Sequence, residues 1–176
     1  MTDLLLPKNG TFRRLVIKKD NEHNIVMVEG ATMVPVDFRQ AKGLEQVYNQ
    51  GLDNRAMRST DVNETSSRSH LIFSIYIERT DKNGQSSVGK IIFIDLAGSE
   101  SLSEIGVDPK RYKEGMQINE SLICLGHLIR QVACKVTPAF NLHPLTELMQ
   151  DSMGGNSKAS MIACISPSEY DLAQTR

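Results

Sequence analysis

The chain has 176 residues, enough for one domain whose core removes roughly 70% of the unfolded surface from water. Its 40% hydrophobic and 23% charged residues are those of an ordinary globular protein and exclude a disordered tail or a fibrous repeat. Apolar runs such as Ile91 to Ile94 are too short to span a bilayer, and Leu4 to Leu6, between Asp3 and Pro7, is no signal-peptide core. The charge balance, 20 Lys+Arg against 21 Asp+Glu with a pI near 6.4, sets up no global field toward nucleic acid, so a basic site would have to be local. Cys124, Cys134 and Cys164 have no paired metal-ligand spacing. They are expected to be reduced, mostly buried thiols of a cytosolic protein, with no zinc site.

In chain order, Phe12 to Lys18 is β-leaning, Asp20 to Asn24 turns the chain, and Ile25 to Glu29 predicts a second short strand. A helix is predicted from Asp37, as N-cap, to Gly51, as C-cap, with Phe38, Ala41, Leu44 and Val47 at three-residue spacing. A polar segment follows from Asp53 to His70. Leu71 to Ile77 predicts a strand closed by the turn Asp81-Lys82-Asn83-Gly84. The near-continuous apolar run Ile91 to Leu96 predicts a central strand covered on both faces. After a Ser/Glu/Gly-rich loop to Pro109 comes a long helix whose stripe is Met116, Leu122, Leu125, Leu128, Ile129 and Val132. Pro144 fits the first position of a further helix closed by Gly154-Gly155. Met161 to Ile165 predicts a last buried strand, and Tyr170 to Arg176 is helix-compatible. Strands alternating with helices predict an α/β layered fold.

Two segments carry chemistry. In Ile91 to Glu100 a strand ends in Asp95, and Gly98 follows three residues on. A carboxylate there can hold Mg²⁺ through water, and a glycine amide can approach a γ-phosphate that a Cβ would keep away. The same residues also suit a strand followed by an Asx turn. In Asn63-Glu64-Thr65-Ser66-Ser67-Arg68-Ser69-His70, hydroxyls beside an arginine can ligate Mg²⁺, orient a water and pair a carboxylate. A capped polar loop or a phosphorylation target has the same composition.

Taken together, N-x-x-S-S-R-S-H and D-L-A-G-S-E resemble switch I (63–70) and switch II (95–100) of the kinesin motor domain. Gly51-Leu52-Asp53-Asn54-Arg55 resembles the end of the helix before switch I. Glu114-Gly115 through Ile118-Asn119-Glu120-Ser121-Leu122 and Leu125-Gly126 resembles the relay helix, about 114–134. Leu145-Thr146-Glu147-Leu148 through Asn156 resembles the last filament-facing helix, about 144–153, with Met161 to Pro167 as the strand after it. The resemblance implies a single partial motor domain over 1–176. Its fold would be a partial kinesin-type P-loop NTPase, a mixed central sheet with flanking helices, lacking the N-terminal part.

The resemblance further implies that Ser67 ligates Mg²⁺, Ser66 places the attacking water, Asn63 contacts the γ-phosphate, Asp95 holds Mg²⁺ through water, and Gly98 senses the phosphate. Arg68 and Glu100 would form the salt bridge that closes the site, a pair suited to a latch by its strength and directionality. Phosphate loss would release both loops, and the relay helix would carry the change to the filament-binding face.

No working P-loop is present. Gly84-Gln85-Ser86-Ser87-Val88-Gly89-Lys90 fits G-x-x-x-x-G-K, but Ile91 follows where Ser or Thr is needed, and a strand follows where a helix is needed. Gly84 and Gly89 are expected in a hairpin turn, with Lys90 a solvated strand-start charge. The chain alone is therefore expected to hold no ATP or Mg²⁺ tightly and to lack ATPase activity, although the complete motor would use both. Lys110, Arg111 and Lys113 are candidate microtubule contacts. Against that, Phe140-Asn141-Leu142-His143-Pro144 and Glu120 stand where the family carries basic or polar residues, which predicts weak, salt-sensitive binding to acidic tubulin. The expected setting is the cytoplasm and microtubule cytoskeleton, with no nucleic acid or membrane partner and with any dimer partner engaged through regions not present. The alternative is a non-hydrolysing kinesin-like module that binds microtubules or another subunit. A GTPase of another family would need a base-reading N-K-x-D motif, which the sequence lacks. His70 could pass for a general base beside Ser69, but there is no G-x-S-x-G elbow. His23, His127 and His143 are read as structural, and Met116, Met149 and Met153 as packing.

Overall fold

The computed structural model describes residues 1–6, 13–37, 39, 41–57, 68–99, 109–153 and 157–172. The chain divides into two compact units, Met1–Gly98 and Ser99–Arg176.

In the first unit, β1 (Val16–Asp20) and β2 (Ile25–Glu29) form an antiparallel hairpin in which Val16 faces Glu29 and Asp20 faces Ile25. Asp20 organises its turn. One carboxylate oxygen accepts from the Glu22 amide at 2.9 Å, and the other pairs with His23 Nδ1 at 2.7 Å. Asn24 takes the left-handed conformation, φ 56°, that closes the loop. Ile25 and Val26, on opposite faces of β2, are both buried. Gly30 ends the strand at φ +86°, where a Cβ would lie 2.6 Å from the Arg14 carbonyl oxygen, so only glycine fits without displacing backbone.

Helix α1 spans Ala41–Met57, later at both ends than the predicted 37–51. Asp37 is spent on a local turn, its carboxylate accepting from the Arg39 amide at 3.0 Å, rather than capping the helix. Gly51 lies inside the helix, where a Cβ would meet nothing within 4 Å. The helix runs on because Leu52 and Arg55 continue the half-buried face begun by Leu44 and Val47.

Strands β3 (Leu71–Thr80) and β4 (Ser86–Asp95) form the second antiparallel pair, with Leu71 opposite Asp95 and Phe73 opposite Phe93. Their turn forms as predicted. The Asp81 carboxylate accepts from the amides of Asn83 and Gln85, each at 2.8 Å, and Gly84 takes φ +82°. Gly89 is not part of that turn; it sits in β4 opposite Ile77. Lys90 is not a solvated charge either. It lies mid-strand and donates to the Val26 carbonyl at 3.0 Å, tying β4 to β2. The β1–β2 hairpin is thereby tied to the sheet face that carries Lys90. Helix α1 packs on the opposite face, where Tyr48 meets Phe73 edge-on with ring centroids 5.3 Å apart.

The run 91–96 is not covered on both faces as expected. Ile92 and Ile94 are half-buried, whereas Ile91 and Phe93 are 45% and 58% exposed. The described strands are thus two antiparallel pairs, β1–β2 and β3–β4.

In the second unit, α2 spans Pro109–Ala133, with proline at its first position. Ser121, Leu125 and Leu128 are its most buried residues, and α3 packs against it. Met116, predicted on the apolar stripe, is 50% exposed, although its neighbour Gly115 is buried. The helix ends in a Schellman arrangement. Val136 donates to the Gln131 carbonyl and Lys135 to that of Val132, with Lys135 at φ 56° in the position glycine usually takes.

The predicted helix 144–153 is two short ones, α3 (Pro144–Leu148) and α4 (Gln150–Met153), separated at Met149. His143 caps α3 by accepting from the Leu145 amide at 3.1 Å, with Pro144 at the first helical position. Thr146, fully buried, donates to the Phe140 and His143 carbonyls at 2.8 Å each. Gly154 and Gly155 lie outside the described residues.

Met161 to Ile165 forms no strand. It has no ladder partner among the described residues, and Ile162 is 91% exposed. The C-terminal turn Glu169–Asp171 starts where Ser168 Oγ accepts from the Tyr170 amide. Of the three thiols, Cys124 is half-buried, while Cys134 and Cys164 are exposed, contrary to expectation. No described helix is long and apolar enough to cross a membrane.

Candidate functional site

The pairing of Leu71 with Asp95 sets the geometry. In an antiparallel pair, the residues before one strand and after the other leave the sheet at the same end. Residues 68–70 and 96–98 therefore emerge together, with Arg68 three residues before the last rung and Gly98 three residues after it.

Two side chains staple this end. Arg55 comes from the last turn of α1, on the same face as Leu44, Val47 and Gly51, which aims it at the sheet. Among the described residues, its guanidinium reaches both Ser69 and Asp95. Nη2 donates to the Ser69 carbonyl at 2.7 Å, Nε to Ser69 Oγ at 3.2 Å, and Nη1 to Asp95 Oδ2 at 3.1 Å. The arginine side chain is 12% exposed and the aspartate 63%. The charge is thus anchored on the protein side while the carboxylate stays open to water. His70 provides the second staple, its Nδ1 accepting from the Ala97 amide at 3.0 Å. Ala97 is buried and Gly98 half-buried.

Of the residues singled out from the sequence, Arg68, Asp95 and Gly98 lie on the chain segments at this end. Asn63, Ser66, Ser67 and Glu100 lie outside the described residues, so the Arg68–Glu100 pair has no described geometry. Lys110, Arg111 and Lys113 occupy the first turns of α2. Among the described residues, no group of three or more His, Cys, Asp or Glu is placed to hold a metal. Sequence reasoning gave Arg55 no role and considered His70 only as a base. Arg55 was detectable in the 44–47–51–55 spacing, which extends the buried face of α1. His70 left no such signal, because its partner is a backbone amide 27 residues away.

The whole chain, residues 1–176, matches the family model described as the kinesin motor domain. The chain belongs to the kinesin motor family. It is 41% identical over 178 residues to the kinesin-like protein KIN-14E of Arabidopsis thaliana, covering 99% of this chain and 14% of that protein. It is 40% identical over 172 residues to the kinesin-like protein KIF18A of Mus musculus, covering 89% of this chain and 18% of that protein. Among solved structures, it is similar to the C-terminal motor and motor homology domain of Kar3Vik1 fused to a synthetic heterodimeric coiled coil, with TM-score 0.77, 32% identity, and 98% of this chain covering 44% of that one. A fast kinesin matches with TM-score 0.78 and 32% identity, over 98% of this chain and 48% of that one. This kinesin chain thus spans under a fifth of those two curated relatives and under half of those two solved motors. The partial α/β motor fold expected from the sequence is the fold of these neighbours.

Proposed function

We propose that this chain is the switch-bearing part of an ATP-driven microtubule motor. The observation that supports the reading is the pairing of Leu71 with Asp95, by which the segments carrying Arg68 and Gly98 leave the sheet at the same end. Kinesin motors use ATP and Mg²⁺, and the donor set fits such a cation. Asp95 is a hard oxygen ligand, 63% exposed, with its Oδ2 oriented by Arg55, as water-mediated Mg²⁺ binding requires.

In this reading, Asp95 and Ser67 would hold Mg²⁺, the aspartate through water. Asn63 and the Gly98 amide would meet the γ-phosphate, and Ser66 would position the attacking water. Arg68 and Glu100 would close the site over it. ATP and Mg²⁺ supply the phosphoryl transfer when bound; this chain's residues orient, exclude water and sense. With no G-x-x-x-x-G-K-[ST] in the sequence, the chain by itself binds nucleotide weakly and does not turn it over. Lys110, Arg111 and Lys113 contribute to a microtubule-facing surface, and the setting is the cytoplasmic cytoskeleton.

The test is microtubule co-sedimentation and ATP turnover of the full-length product of the transcript that carries this chain, as wild type and as Gly98→Ala. Wild type should release from microtubules in a nucleotide-dependent way, and Gly98→Ala should lose that dependence. Pelleting indifferent to nucleotide in the wild type would instead establish a non-hydrolysing binding module.

A further inference from the structure

We propose that His70 is a positioning residue whose Nδ1 holds the Ala97 amide and thereby sets the direction in which the Gly98 amide leaves the sheet. The last backbone rung of β3–β4 joins Leu71 to Asp95. Ala97 lies beyond it, 5% exposed, with its N–H directed at His70 Nδ1 at 3.0 Å. A buried amide past the end of a ladder must find an acceptor, and here an imidazole adds one more rung in place of backbone.

The bond has a definite chemical requirement. Nδ1 must be unprotonated to accept, so the ring carries its proton on Nε2. The consequence falls on the next residue. With the Ala97 N–H pinned, the orientation of the Gly98 N–H depends only on φ and ψ of Ala97, a residue with almost no free surface. Fixing that amide in advance is what a phosphate-sensing donor needs, since a preorganised dipole requires no reorganisation when charge arrives. This last link rests on the nucleotide reading above, whereas the His70–Ala97 clamp itself does not.

Side-chain geometry supplies the discriminating variants. The Oδ1 of asparagine can stand where Nδ1 stands, whereas the Oε1 of glutamine reaches the Nε2 position. His70→Asn should therefore keep the acceptor and His70→Gln should lose it. The experiment is NMR on the full 176-residue chain. In the wild type, His70 should be the Nε2–H tautomer, with scalar coupling across the hydrogen bond from the Ala97 amide to Nδ1. The Ala97 amide should exchange about tenfold faster in His70→Gln and within about threefold of wild type in His70→Asn, as the loss or retention of one hydrogen bond requires. A proton on Nδ1 in the wild type, which needs no variant to fold, would overturn the proposal. So would equal acceleration of Ala97 exchange in both variants. Nucleotide-dependent release of the full-length product from microtubules should be kept in His70→Asn and lost in His70→Gln. Its absence from the wild type would sink the nucleotide reading alone, leaving tautomer and exchange to decide the clamp.

Discussion

Replacing Arg55 by Met keeps the bulk of the side chain on α1 but removes the hydrogen bonds that its guanidinium makes to Ser69 and Asp95. The bonds are unequal. The one to the Ser69 carbonyl, at 2.7 Å from a side chain 12% exposed, is the shortest and best shielded. The one to Asp95 reaches a carboxylate 63% exposed, where water screens the pair and its net contribution falls to about 0.5 kcal/mol. With the Ser69 hydroxyl included, Arg55→Met should destabilise the first unit by about 3 kcal/mol, most of it through Ser69. Arg55→Lys should cost about 2 kcal/mol, because one ammonium cannot reproduce a planar fork that bridges a carbonyl and a carboxylate. The assay is equilibrium urea unfolding of the chain with a double-mutant cycle over Arg55→Met and Asp95→Asn, whose coupling should stay below about 1 kcal/mol. If Asp95→Asn alone reproduced the whole loss, or if Arg55→Met cost less than about 0.5 kcal/mol, the assignment of Arg55 as a staple anchored on Ser69 would be wrong.

Gly30→Ala should lower stability by about 2 kcal/mol or more, because the new Cβ meets the Arg14 carbonyl oxygen at 2.6 Å and the residue must hold φ +86°; thermal unfolding measures it, and a neutral result would contradict the described turn. Thr146→Val, nearly isosteric at a fully buried site, takes the hydroxyl from the Phe140 carbonyl and from the His143 amide, while the His143 carbonyl keeps the Glu147 amide, and should cost about 2 kcal/mol by urea titration, with the loss absent at exposed Thr80. The hydrogen bond to Asp20 raises the His23 pKa above 6.5, and the same bond from His23 lowers that of Asp20 below 3.8. The His23 contribution to the β1–β2 hairpin is therefore full below pH 6.5 and is lost as pH rises through the raised value. The Asp20 contribution is present above pH 3.8 and is lost as pH falls through the lowered value. NMR titration should find His23 above its ordinary value in the wild type and back at it in Asp20→Asn; no change between the two would remove the pair from the hairpin's pH response.

What the residues determined by themselves was local and chemical. The turn at Asp81 to Gly84 follows from a carboxylate that caps amides two and four residues on, and Pro144 opens a helix because its missing N–H is not needed there. The two switch-like motifs likewise named the family from their residues alone, with no coordinates needed. Burial was a different matter. Ile91 and Phe93 read as core in the sequence yet stand half open, and Met161 to Ile165 reads as a strand yet pairs with nothing described, because burial depends on which surface arrives to cover a segment. The continuation of α1 past Gly51, the anchoring of Lys90 on Val26, and the two staples from Arg55 and His70 are contacts between residues 14 to 64 positions apart, or the result of such contacts. Only the tertiary structure decides these, since a hydrogen bond's partner is chosen by position in space and leaves no trace in the spacing of neighbours along the chain.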